Sequence, residues 1–319
     1  MTFTFTEPNQ ATHYLNYIGA THSKKWIQFI RLNGINNTAR DIANKPDQYA
    51  PDDPVIINRN RLHAQYSTLE QFFDKTMPQG CGIHTINTHD DNWPEPLKLD
   101  YTHPIYNLYV EGNQWLDTDN ITLLGDREVP DQLLNQVLDY AAERDLNILT
   151  YIDPTKKFPQ QLISATQDTD FHILAVATQP LKDYVSKYKI DNPDPLLSIQ
   201  LRDENSVIST TPATIKPEDI TENHYATNEH LVAQLSNTVV CFNLDTNSQT
   251  YNIARRIATG FEYTYVDVFT SPVDMTPKFI PTPHDPEWGN NSLLNDTRAK
   301  PLNTDALQRS LDYTPHWDS

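Results

Sequence analysis

Cysteine, glycine, positive charge and long apolar runs are all scarce in this sequence, and each shortage closes off a class of function. The two cysteines, Cys81 and Cys241, stand far apart with no Cys-x-x-Cys pair, which leaves neither a disulfide framework nor a zinc knuckle. Eight glycines against 23 prolines argue against a glycine-rich phosphate loop, which needs positive φ and close approach of backbone to ligand. Basic residues are outnumbered, 24 Lys and Arg against 42 Asp and Glu, for a net charge of −18. A field of that sign repels nucleic acid and anionic lipid at long range, so such a partner requires a local basic pocket. No run approaches the roughly 18 apolar residues of a membrane span. The opening MTFTFTEPNQ has neither a basic start nor an apolar core, so no signal peptide is visible. The expectation is a soluble, cytoplasmic protein with no membrane partner, long enough at 319 residues for one large domain or two smaller ones.

What the sequence does contain is organised around Asp91 to Glu128. A proline-punctuated entry leads to a short strand ending in Glu111-Gly112-Asn113. The polar turn Asp117-Thr118-Asp119-Asn120 follows, then a strand over Ile121 to Leu124 closing at Gly125. From Val129 to Arg144, Leu133, Leu134, Val137, Leu138 and Ala141 recur at helical spacing. Strand, glycine, helix opens a parallel α/β unit, whose ligand normally sits at the carboxyl edge of the strand. Strands then alternate with helices. Strands are expected over Leu146–Thr150, Phe171–Thr178, Leu196–Leu201, Ser206–Thr210, Thr238–Asn243 and Tyr263–Phe269. Helices are expected over Gln160–Thr166, Asn228–Leu235 and Ser248–Thr259, with an amphipathic piece at Leu181–Lys189. From about Ser271 the chain is rich in proline and asparagine and reads as an extended arm.

Before that stretch the chain reads as helical. Tyr14, Leu15, Ile18, Trp26, Ile27, Phe29 and Ile30 suggest two short helices joined at Gly19. Arg31 to Ile42 repeats the arrangement around Gly34, and Thr68 to Phe73 adds another piece. Such a module is SAM-like or a helix hairpin, of a kind that often touches nucleic acid backbone, or else a plain helical cap. Residues 43 to 60, with Pro46, Pro51 and Pro54, read as an exposed loop. His84, His89, Asp90 and Asp91 lie close together but match no metal-ligand spacing and read as a solvated loop. The fold class is thus α/β: a Rossmann-like, doubly wound, mostly parallel sheet preceded by a small helical domain. The boundaries are residues 1–88, 89–272 and a polar C-terminal tail over 273–319.

Several pieces, in order, resemble the DprA/Smf family of DNA-processing proteins. They are Trp93-Pro94, Leu97, Pro104 and the strand Leu108-Tyr109-Val110-Glu111-Gly112-Asn113, then Gly125-Asp126-Arg127 after the first Rossmann strand. Tyr225 to Ser236 followed by TVVCF completes the likeness, which spans roughly residues 10 to 270. The departures are equally specific. The loop Thr150 to Lys157 has no glycine, the family's Arg-Asn-Arg positions read Asn228-Glu229-His230, and Thr246-Asn247-Ser248-Gln249 replaces a serine-glycine stretch. The resemblance implies binding of single-stranded DNA without chemistry, help in loading a RecA-type recombinase during DNA uptake and transformation, and a homodimer. No catalytic residue, metal or cofactor is implied.

The residues that would carry DNA binding are Arg127, Lys156 and Lys157 near the carboxyl edge, Arg255 and Arg256 on a later helix, and His230. Gly125 and Asp126 form the remnant of a nucleotide loop. Arginine offers a planar fork to phosphate and lysine a point charge, while Tyr151 and Tyr251 are candidates to stack on bases. The plainer alternative pairs each cation with a neighbouring carboxylate. Two other functions stand beside this one. A protein-interaction scaffold would keep the sheet and lose the ligand site. A nucleotide-processing hydrolase would draw on Glu111, Asp126, Glu128 and Asp153, but the Gly-Gly loop and Pro-Gly-Gly-x-Gly-Thr motif of such enzymes are missing.

Overall fold

Two glycines set the path of the first helices. Gly19 and Gly34 both adopt φ 81°, a conformation that L side chains rarely take. Gly34 closes α2 (Lys24–Asn33) by donating its N–H to the Ile30 carbonyl at 2.7 Å, and it opens α3 (Ile35–Asn44) by accepting from the Thr38 N–H at 3.0 Å. The structure, a computed structural model, describes residues 3–5, 8–77, 83–98, 104–112, 119–153, 155–177, 180–181, 205–215, 220, 222–260, 267–270, 289–303, 305–307 and 309.

The chain divides into two units, the first comprising residues 1–112, 178–191 and 208–228, the second 113–177, 192–207 and 229–319. In the first unit α1 (Pro8–Tyr17) packs with α2, α3, α4 (Pro54–Gln65) and α5 (Leu69–Thr76) around Tyr14, Leu15, Ile18, Trp26, Ile30, Ile42 and Phe72, all buried. The expected exposed loop over 43–60 is corrected: its second half is the start of α4. Pro54 sits at the first helical position, where its missing N–H removes no intrahelical bond, and the Asp53 carboxylate caps the helix by accepting from the Val55 N–H at 3.0 Å. The stretch read as a solvated loop at His84 is likewise a strand, β1 (Ile83–Asn87), antiparallel to β2 (Asn107–Gly112). Short α6 (Glu95–Lys98) lies between them in sequence.

Polar side chains cross the core of this unit. The His13 ring bonds the Tyr109 hydroxyl at 2.9 Å and Thr76 Oγ1 at 3.0 Å, and Asn16 donates to the Thr210 carbonyl at 3.0 Å. Asn228 accepts from the Thr210 N–H at 2.8 Å. These groups are buried and mutually satisfied, as polar atoms out of reach of water must be.

The second unit is built on parallel strands. β3 (Asn120–Gly125) lies between β4 (Asn147–Ile152) and β7 (Thr238–Phe242). β5 (Ile173–Ala177) lies outside β4, while β8 (Asp267–Thr270) and then β9 (Lys300–Pro301) lie outside β7. β6 (Ser206–Ser209) is the neighbour of β5. The registers Ile121↔Ile148, Ile121↔Thr238 and Ile148↔Ile173 fix the centre of the sheet. These strands are buried along their length, as parallel strands covered by helices on both faces are. The covering helices are α7 (Asp131–Ala142), α8 (Lys157–Thr166), α9 (Glu222–Leu235) and α10 (Gln249–Thr259).

The chain winds from β3 to β4 to β5 on one side and returns to β7 and β8 on the other, so the carboxyl ends of β3 and β7 form the topological switch point. This is the doubly wound, Rossmann-like arrangement expected from the alternation of strand and helix. Within the stretch read as an extended arm, Gly289–Asp296 forms α11 and Lys300–Pro301 is β9, which pairs with β8. The expected strand Leu196–Leu201, residues 182–189 of the amphipathic piece, 263–266 of the last strand and 271–288, 304, 308 and 310–319 of the arm lie outside the described residues.

Candidate functional site

The switch point is filled from within. Gly125 ends β3 in front of the Phe158 ring, and a Cβ placed on it would meet Phe158 Cγ at 2.4 Å. Phe158 sits in the first turn of α8 and stacks on Phe242 at the end of β7, with centroids 5.3 Å apart. Glycine is therefore present for close packing, and a phenyl ring stands where a nucleotide loop would leave room for phosphate.

Asp126, the next residue, is 3% exposed. Its Oδ2 accepts from the Asp245 N–H at 2.7 Å and from the Ser248 hydroxyl at 2.6 Å; the Thr250 hydroxyl stands near the carboxyl. Lys156 Nζ lies 3.7 Å from Oδ1, and the Lys157 N–H donates to the Asp126 carbonyl at 3.1 Å. Ser248 in turn caps α10, accepting from the Tyr251 N–H at 3.0 Å. Burial raises the Asp126 pKa, and the bonds from Asp245, Ser248 and Thr250 together with the Lys156 charge work against that rise. In a phosphate-binding Rossmann site the amide and hydroxyl at the start of the helix after the strand face the ligand. Here they face an internal carboxylate.

The cations named from sequence separate into two kinds. Lys156 is drawn onto Asp126, with its side chain 25% exposed. Arg256 holds the Glu229 carboxylate at 3.0 Å and His230 Nε2 at 2.9 Å, so both Arg256 and buried His230 are spent between α10 and α9. Burial raises the Glu229 pKa, opposed by Arg256. Arg127 is half-buried. Lys157, at the first position of α8, and Arg255, on α10, are exposed and make no ion pair with a carboxylate among the described residues. The expected stacking of bases on Tyr151 and Tyr251 is corrected. Both rings are buried, at 1% and 7% exposure, with hydroxyls bonded to Gln249 Oε1 at 2.5 Å and Ser292 Oγ at 2.8 Å.

Three carboxylates of the hydrolase reading, Asp126, Glu128 and Asp153, differ in their surroundings. Asp153 bonds the Thr155 N–H and hydroxyl in a local turn, Glu128 is exposed and Asp126 is enclosed. Sequence reasoning missed Ser248 and Asp245 as partners of Asp126. The signal was an N-capping serine ahead of an apolar helix pattern, read only as a lost glycine position.

No family model and no curated protein matches the chain. Solved structures do. DNA processing protein A (DprA) from Streptococcus pneumoniae superposes with a TM-score of 0.61 at 17% identity, covering 94% of this chain and 95% of that one. DNA processing protein A from Helicobacter pylori, described with a single-stranded DNA binding mode, gives 0.50 at 18% identity, covering 74% of this chain and 97% of that one. This chain therefore has the fold of DprA, extended over nearly its whole length in the first case.

Proposed function

We propose that the chain is a divergent DprA/Smf protein that binds single-stranded DNA without covalent chemistry. The observation that carries this reading is the near end-to-end agreement of fold with a DprA structure. It is supported by two exposed cations, Lys157 and Arg255, on α8 and α10, whose first turns follow the carboxyl ends of β4 and β7. In an acidic molecule these supply the local positive charge that phosphate requires, with Arg127 beside Asp126 and Lys156 partly neutralised by it. Recombinase loading during DNA uptake, a homodimer and a cytoplasmic location complete the reading. So does a division into residues 1–88, 89–272 and 273–319, with catalysis assigned to no residue.

The enclosure of Asp126 favours one alternative, a scaffold that kept the sheet and recruits a protein partner. Fluorescence anisotropy with a labelled single-stranded oligonucleotide at low salt separates the two. The DNA reading predicts saturable binding that weakens about tenfold in a Lys157→Ala, Arg255→Ala double variant. Absence of binding by the unmodified protein leaves the scaffold.

A further inference from the structure

A groove of about 500 Å³ opens on the first unit, lined by Ile30, Arg31, Gly34, Ile35, His89 and Tyr106, with Asn36 and Asn37 at its edge. Its charge is opposite in sign to that of the molecule. The net charge is −18, yet no carboxylate among the described residues lines the groove, and Arg31 and His89 are both exposed on its rim. Two carboxylates near in sequence are engaged elsewhere. Asp41 pairs with Lys45 at 3.0 Å, and Asp90 accepts from the Asn87 N–H at 2.7 Å to close the turn after β1. Arg31 makes no ion pair with a carboxylate among the described residues; its guanidinium lies beside the Tyr106 hydroxyl and works against the rise that burial gives the Tyr106 pKa.

Tyr106 is fixed from behind. The Thr88 N–H donates to its carbonyl at 3.2 Å, which also holds the His89 loop beside it. On the other side the groove is kept open by Gly34, where a Cβ would meet nothing within 4 Å. The floor is apolar and aromatic, the rim cationic with amide side chains. That combination suits a flat ring carrying an adjacent anion, since base–aromatic stacking tolerates any base and the arginine fork grips phosphate.

From this lining we infer that the groove takes one nucleotide of a single-stranded nucleic acid, the base against Tyr106 and Ile35 and the phosphate on Arg31, with His89 a second donor. The inference rests on the proposed binding of single-stranded DNA and adds a contact on the helical unit that Lys157 and Arg255 do not provide.

The test uses the full chain and an oligonucleotide carrying 5-iododeoxyuridine, which cross-links on irradiation to an aromatic ring it stacks on. The expected result is a cross-link mapping to Tyr106 and a five- to tenfold loss of affinity in Arg31→Ala, with the salt slope reduced by about one phosphate contact. His89→Ala, a second exposed position, is expected to weaken binding less. Binding by the unmodified protein with neither a Tyr106 cross-link nor any change in Arg31→Ala overturns the groove and leaves the DNA reading intact. No binding by the unmodified protein overturns both. A saturable change in emission of a fluorophore attached at Asn36→Cys on adding an Asp/Glu-rich peptide, with no change on adding the oligonucleotide, overturns the groove in favour of an acidic peptide site.

Discussion

Asp126 is 3% exposed, and it sits among the Asp245 amide, the Ser248 and Thr250 hydroxyls and the Lys156 side chain. Truncation to alanine strands the Asp245 N–H and leaves Lys156 without its counter-charge. Asp126→Ala is expected to lower stability by about 2 to 4 kcal/mol in urea unfolding. Because burial raises the Asp126 pKa, the folded chain keeps this proton to higher pH than the unfolded chain does. Its contribution to stability is then greatest below the ordinary carboxylate pKa and declines as pH rises through the raised one.

Four histidines run the other way. Burial pushes His13 down to about 3 and His63 and His224 to about 4; His22, its ring 4.4 Å from that of His224, is also lowered by burial and by that neighbour. The fold keeps these rings neutral, so their contribution is complete above the ordinary value of 6.5 and is lost as pH falls toward 4. For fully buried His13 the loss by pH 4 is about 3 kcal/mol. The urea midpoint should fall steeply from pH 7 to pH 4. His13→Gln should be less stable at pH 7 and show a shallower fall; an unchanged slope would mean that His13 does not take up a proton on unfolding in this range.

At the level of the element, glycines that look alike in sequence act differently. Gly125→Ala drives a methyl into Phe158, between backbone and a ring stacked on Phe242, and is expected to cost about 1 to 3 kcal/mol. Phe158→Leu in the same chain should recover part of that cost, which a double-mutant cycle measures. Gly34→Ala meets no atom but must hold φ 81°, and should cost about 1 kcal/mol with no rescue from a neighbouring truncation. Asp53 caps α4 and also accepts from Trp26 Nε1 at 3.0 Å and Lys25 Nζ at 2.6 Å. Asp53→Ala is therefore expected to lower the thermal midpoint by more than a simple cap loss of about 1 kcal/mol.

Most of this was legible in the sequence wherever a periodic apolar pattern met a turn signal. The strand at Ile121, the helix after Val129 and the helix pair at Gly34 all follow from such patterns. α4 was hidden because its pattern is mixed, with Asn58, Arg59, Asn60 and Arg61 among its residues, and its only clear mark is the Asp53-Pro54 start. β1 was hidden because a histidine, a threonine and an asparagine sit among its five residues, and pairing with β2 supplies what propensity does not. At the site, Gly125 and Asp126 were legible as positions, but their partners Phe158, Asp245 and Ser248 are distant in sequence and only the fold brings them together. Which cations remain exposed depends likewise on tertiary pairing: Arg255 and Arg256 are neighbours in sequence, yet one faces solvent and the other holds Glu229 and His230.

For the molecule as a whole, the fold of a DNA-processing protein is combined with a charge of −18. Under the proposed DNA binding, long-range repulsion and short-range phosphate capture oppose each other, and salt screens both. The measurement that tests the account most directly is the salt dependence of single-stranded DNA affinity, by anisotropy from low to moderate ionic strength, for the unmodified protein and the Lys157→Ala, Arg255→Ala variant. Phosphate capture predicts affinity falling with salt at a slope of about 0.7 per phosphate contact, shallower by about 1.4 in the double variant. Affinity that is absent at low salt, or that is the same in both proteins at every salt, would contradict it.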